Sequence, residues 1–224
     1  MGGLNKQTYC EQVVDFIRAK ILAGELSPLS PVKEAAIADE LSISRAPVRE
    51  AMQILVREGL IEGHPQKRKF VRALTAKQIR NSYFTGGVLE AAAVAAVVEC
   101  YSDEDIAALE SIVARMLAVA RQSGSVAEQA PLDDAFHDLL FTRVDNELVV
   151  ELCKRSCQGI SKFLLFKHWV KLFPAQMVYE RHLEIVNAIK SRDQALVESV
   201  IRAHYISSGE KMAAFGVDVY CAAA

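Results

Sequence analysis

The sequence predicts a mainly α protein. An N-terminal winged helix-turn-helix domain spans residues 1–75, and an all-α antiparallel helical bundle spans residues 76–224. Three observations predict it. Apolar residues recur at helical spacing along most of the chain. Three such stretches are followed by two short strand-like runs around a basic turn, the order of a winged helix-turn-helix. After Thr75 no strand-like alternation interrupts the helical pattern.

The elements follow in order. Val13, Val14, Ile17 and Ile21 mark the first amphipathic helix, and Gly24 ends it. Ser27, Pro28, Ser30 and Pro31 make a turn-rich connection. Val32 to Leu41 reads as a second, short helix, broken by Ser42-Ile43-Ser44. Ser44 suits the N-cap of a third helix, and Pro47 falls in its first turn, where a missing N–H costs little. That helix runs to about Glu58 and stops at Gly59. Leu60-Ile61-Glu62 and Lys69-Phe70-Val71 read as strands of a hairpin around His64-Pro65-Gln66-Lys67-Arg68. Beyond Thr75 the spacing predicts helices near 76–100, 103–122, 131–144, 147–171, 174–191 and 193–216.

Composition sets the outer limits. The chain has 224 residues, of which 51% are hydrophobic and 24% charged, which excludes disordered and low-complexity classes. A net charge of −2 excludes a generally basic nucleic-acid coat. The charge is uneven, however: residues 44–72 hold seven basic and three acidic side chains. The five cysteines form no disulfide framework; Cys153 and Cys157, four apart, read as two buried thiols on one helix face. No run approaches the 18 or so apolar residues that span a bilayer, so the expected compartment is a reducing cytoplasm.

The third helix carries the DNA-reading chemistry. Val48, Ala51 and Leu55 fall on its inner face, and Arg45, Arg49 and Gln53 form an outward stripe at four-residue spacing. Arginine can donate two parallel hydrogen bonds to guanine in the major groove. Ser44 at the helix start, together with Lys67, Arg68 and Lys69 in the hairpin, is placed to meet phosphates or the minor groove. Ser44-Arg45-Ala46-Pro47-Val48-Arg49-Glu50-Ala51, followed by Leu55-x-x-Glu58-Gly59-Leu60-Ile61, resembles the signature of GntR-family transcription regulators over the first 75 or so residues. The resemblance implies that Arg45 and Arg49 touch bases and that the hairpin at 62–70 enters the minor groove. The chain departs from that family at Ser27–Pro31, where Pro-Gly-x-x-Leu is usual. It departs again at Lys67-Arg68-Lys69, where a glycine is usual, and at Ala35, an arginine in some members.

A second constellation lies in the C-terminal part. Asp133 and His137 are four apart on one predicted helix. His182 and His204 each stand 11 residues from Asp193, the turn between two predicted helices. In an antiparallel hairpin both would lie at one level, roughly 16 Å from the turn at 1.5 Å per residue. One Asp and three His from three helices suit a divalent metal, zinc first, with nickel and manganese as alternatives. Asp133-x-x-Phe136-His137, Asn146, His182-x-x-Ile185-x-x-Ala188-Ile189 and His204 are similar to the FCD ligand domain of the FadR subfamily, over roughly residues 76–216. The resemblance implies these four metal ligands and a small carboxylate effector completing the shell. Members usually carry an effector-pairing arginine shortly before the glutamate that matches Glu90; Gly86-Gly87 stands there. Either Arg143, Arg155 or Arg181 takes over that pairing, or the effector is not a typical organic acid. Two helical glycines, each costing about 1 kcal/mol relative to alanine, imply a kink or a close backbone approach.

The resulting expectation is a ligand-responsive transcription regulator rather than an enzyme, a repressor binding a near-palindromic double-stranded operator as a homodimer. The alternatives are a metal-sensing regulator, a purely structural metal beside a pocket for an acyl ligand, and a metal-dependent hydrolase.

Overall fold

The computed structural model describes residues 7–63, 68–122, 126–158 and 161–217. The chain divides into two compact units that part between Ala73 and Leu74.

In the first unit, α1 (Tyr9–Ala23) begins at a capping box in which Thr8 and Glu11 satisfy each other's backbone N–H. It ends at Gly24, whose φ of 72° only glycine adopts freely. Two strands and two helices follow: β1 (Pro31–Val32), α2 (Glu34–Glu40), α3 (Arg45–Arg57) and β2 (Ile61–Glu62), and then β3 (Lys69–Val71). The sheet is antiparallel in the order β1-β3-β2. Val13, Ile17, Val48, Ala51, Met52 and Leu55 are fully buried and weld α1 to α3. Arg18 clamps the end of α3 from outside, its Nη2 2.8 Å from both Glu58 oxygens. One expectation is corrected here. Val32 belongs to β1 rather than to the second helix, which starts at Glu34. Two residues are too few for a strand period, and pairing with β3 decides the matter.

The second unit contains α4 (Ala76–Ala96), a 3-10 turn at Val98–Cys100, α5 (Asp103–Arg121), α6 (Val126–Leu140) and α7 (Glu147–Cys153). A π-helical turn at Lys154–Gln158 leads to α8 (Ser161–Leu164), α9 (Phe166–Leu172), α10 (Ala175–Ser191) and α11 (Gln194–Ala213). Thr75 with Gln78 and Ser102 with Asp105 form capping boxes at α4 and α5, and Asp193 caps α11. Helix α4 packs most extensively on α11, and α5 on α10.

Two helices differ most from the sequence reading. Pro131 lies inside α6, in its second turn. The loss of one backbone bond there is outweighed by burial of Leu132, Phe136 and Leu140. The single helix expected at 147–171 is broken. Buried Cys153, Leu164, Leu165, Trp169 and Phe173 would spread over about 200° of an unbroken helix at 100° per residue. Breaks re-phase them toward one core.

Close packing explains the glycine pair. A Cβ on Gly87 would stand 2.6 Å from Tyr205 Cβ, and one on Gly209 would stand 2.7 Å from Tyr83 Cβ. Each helix thus offers a bare backbone to a tyrosine of the other. Of the two expectations for Gly86-Gly87, the close approach is the observed one. The chain then returns to the start of α4: Val217 N–H donates to Leu74 O at 2.9 Å, beside a parallel bridge to Thr75. Gly216 fits because any Cβ would meet the backbone nitrogen of Ala76 at 2.2 Å.

Candidate nucleic-acid interface and candidate metal centre

Helix α3 turns its apolar face inward, so the opposite face is free. Ser44, Arg45, Arg49 and Gln53 are all exposed. Ser44 is the backbone N-cap, but its hydroxyl makes no capping bond. Arg49 Nε lies 3.5 Å from Glu34 Oε2, with the arginine side chain 64% exposed. Arg68 is exposed as well. Lys69 is not a free wing-tip cation; its Nζ donates to Glu34 Oε1 at 2.8 Å. Lys67 lies outside the described residues.

In the second unit, α6, α10 and α11 bring His137, His182 and His204 together. Their ring centroids stand 5.1 to 5.5 Å apart, and one ligand atom from each lies within 4.8 Å of the others. Phe136 floors the cluster, its ring 4.7 Å from that of His182. The hairpin geometry expected around Asp193 is what places His182 level with His204.

Two of the three imidazoles, those of His137 and His182, are held through Nδ1. His137 Nδ1–H donates to Glu90 Oε1 at 2.8 Å, and Tyr205 Oη–H donates to Glu90 Oε2 at 2.8 Å. His182 Nδ1–H donates to the carbonyl of Val178 at 2.6 Å. These two bonds fix the orientation of the His137 and His182 rings. His182 Nε2 makes no hydrogen bond, although Asp133 Oδ1 stands 3.0 Å away. His204 Nδ1 is buried and likewise makes none. Burial, then the nearby Arg181 charge and the two other imidazoles, holds His204 well below the ordinary histidine range. It is therefore neutral at physiological pH. Clustered imidazoles with orphaned buried nitrogens are a donor set that a divalent transition metal can take. Asp133 reaches this set through His182 and stands outside the three-histidine group.

The three candidate effector arginines are otherwise engaged. Arg143 Nε donates to Asp105 Oδ2 at 2.7 Å. Arg155 Nη1 donates to Glu151 one turn back at 3.2 Å. Arg181 donates to the carbonyl of His204, to Ser207 Oγ at 2.8 Å and to Ser208 Oγ at 2.9 Å. Only Arg181 of the three adjoins a cluster histidine. Cys153 is buried and donates to the Gly86 carbonyl at 3.5 Å, and burial pushes its thiol up to about 12. It is an inert core group; the side chain of Cys157 lies outside the described ones. His168 stacks on Phe215 at 4.0 Å and does not enter the set.

Glu90 and Tyr205 complete the site without having been singled out as site residues. A signal existed for Glu90. It is the only charged residue between Arg80 and Glu99, in a run as apolar as Val88-Leu89-Glu90-Ala91-Ala92-Ala93-Val94. A carboxylate there must be buried and partnered.

An arginine-bearing helix beside a small three-stranded wing, followed by an all-α unit, defines a DNA-binding transcription regulator. Residues 10–71 match the gntR family of bacterial regulatory proteins, and residues 83–207 match the FCD domain. The chain belongs to the GntR family of transcription regulators that carry an FCD domain. It is 27% identical over 198 residues to the HTH-type transcriptional repressor RspR of Escherichia coli K12, covering 87% of this chain and 84% of that one. It is 25% identical over 213 residues to the gluconate operon transcriptional repressor of Bacillus subtilis, covering 93% and 87%. A GntR transcriptional regulator from Rhodococcus sp. RHA1 shares the fold at a TM-score of 0.69 and 22% identity, over 92% of this chain and 98% of that one. No helix among the described residues is long and apolar enough to cross a membrane.

Proposed function

We propose that this regulator is a cytoplasmic repressor that binds a near-palindromic operator as a homodimer, and that a divalent metal in the FCD domain mediates its response. His137, His182 and His204 would hold the ion, with Asp133 adding a fourth group, and zinc, nickel and manganese are the candidates. When bound, the ion supplies a Lewis-acidic anchor for a small carboxylate effector. The protein's own residues orient His137 through Glu90 and Tyr205 and His182 through the Val178 carbonyl, and Phe136 packs against the His182 ring. The observation that carries the reading is the convergence of three imidazoles from three helices, two of them with unbonded buried nitrogens. Two-fold symmetry would place two α3 helices in successive major grooves.

A second reading has its own support: the ion alone is the signal. Arg143, Arg155 and Arg181 all have partners within the chain, so none offers an unengaged guanidinium to an organic acid.

Native mass spectrometry with elemental analysis of the purified protein tests the proposal. A dimer carrying about one ion per subunit supports it; a monomer without stoichiometric metal rejects it. Operator affinity is then measured with metal alone and with metal plus a panel of carboxylic acids. A change needing only metal selects the second reading.

A further inference from the structure

The first unit holds a carboxylate that the DNA-reading account does not use. Glu34 is the first residue of α2, two residues past Val32. In the β1–β3 register Val32 pairs with Lys69, so strand pairing delivers the Lys69 side chain to the α2 N-terminus. There Glu34 Oε1 accepts from Lys69 Nζ at 2.8 Å, and Glu34 Oε2 faces Arg49 Nε at 3.5 Å. One side chain thus ties α2 to the exposed face of α3 and to the wing strand. The Lys69 and Glu34 side chains are only 15% and 26% exposed, so their contact is partly shielded. The Lys69 hydrogen bond foremost, with Arg49 adding to it, holds the Glu34 carboxyl below the usual carboxylate range. It is anionic at neutral pH.

We propose that Glu34 is a positioning and specificity-determining residue of the DNA interface. It holds Arg49 by its Nε edge, leaving the two terminal nitrogens as a fork for guanine. It also neutralises Lys69, and its charge repels phosphate, which suppresses binding to arbitrary sequence. The inference rests on the DNA-binding role of α3.

The test selects duplexes from a random pool with the full-length wild type, Glu34→Gln and Glu34→Asp, then measures anisotropy on the selected and a scrambled duplex across salt. Arg49→Ala in the same selection identifies the base pair that Arg49 reads. Glu34→Gln is expected to bind the scrambled duplex about three- to tenfold tighter, with a salt slope steeper by about one to two, since each freed cation adds roughly 0.9. Its preference at the Arg49 base pair is expected to fade. Glu34→Asp keeps the charge but loses reach; it is expected to bind the scrambled duplex as weakly as wild type while blunting the same preference. Unaltered base preference in both variants, with unaltered affinity for the scrambled duplex, overturns the inference alone. A wild type that enriches no sequence overturns the DNA-reading role and this inference with it.

Discussion

Glu90 accepts the Nδ1–H of His137 at 2.8 Å, with the carboxylate wholly shut off from solvent and the imidazole nearly so. A carboxylate behind a ligating imidazole raises its basicity and fixes its direction. Glu90→Gln keeps the volume but offers an amide that cannot match that charge. Metal affinity is expected to fall about 10- to 100-fold, read by competition against a chromogenic chelator. An affinity equal to wild type would show that Glu90 only fills space.

Removal of one imidazole is more severe. His182→Ala is expected to abolish stoichiometric metal in the purified protein, measured by elemental analysis. Asp133→Ala is expected to retain metal with weaker affinity, because Asp133 meets the cluster through His182. A fully loaded His182→Ala protein would reject the three-histidine set.

Helix α3 gives a separate expectation. Arg49→Ala should weaken binding to a selected duplex by about 1–3 kcal/mol, the worth of one bidentate base contact. Anisotropy titration against a scrambled duplex checks it; an equal loss on both duplexes would reduce Arg49 to a phosphate contact.

Gly87 lies where α4 meets Tyr205. Gly87→Ala drives a methyl to 2.6 Å from Tyr205 Cβ, and overpacking of this kind costs about 1–3 kcal/mol. Calorimetry should show a lower melting temperature. The same shift pulls the Tyr205 hydroxyl off Glu90, so metal affinity should fall with it.

The Arg143–Asp105 pair gives a pH test. The Arg143 guanidinium foremost, then the Ser102 backbone N–H, holds the Asp105 carboxyl below the usual aspartate range. A depressed carboxyl adds stability that is complete above the unfolded value and is lost as pH falls through the folded one. Urea midpoints of wild type and Arg143→Met should therefore differ at neutral pH and converge in acid below about pH 4. A difference that persists in acid would mean that Arg143 acts through packing instead.

Much of this was legible in the residues. Ser44 to Gly59 encodes the reading helix because its inner and outer faces separate cleanly at helical spacing. The equal 11-residue arms about Asp193 located His182 against His204. What was not legible depended on contacts between distant elements. The two-residue β1 has no period of its own, and the breaks after Cys153 follow the shape of the core rather than any local signal. Lys69 read as a free cation, because nothing in the wing announces Glu34 as its partner. Gly86-Gly87 left kink and close approach equal until Tyr205 was in place.

The bond from Val217 to Leu74 also bears on how the protein is handled. A chain shortened to end before Val217 loses this tie within the second unit, and the first turn of α4 should then exchange its amide hydrogens faster.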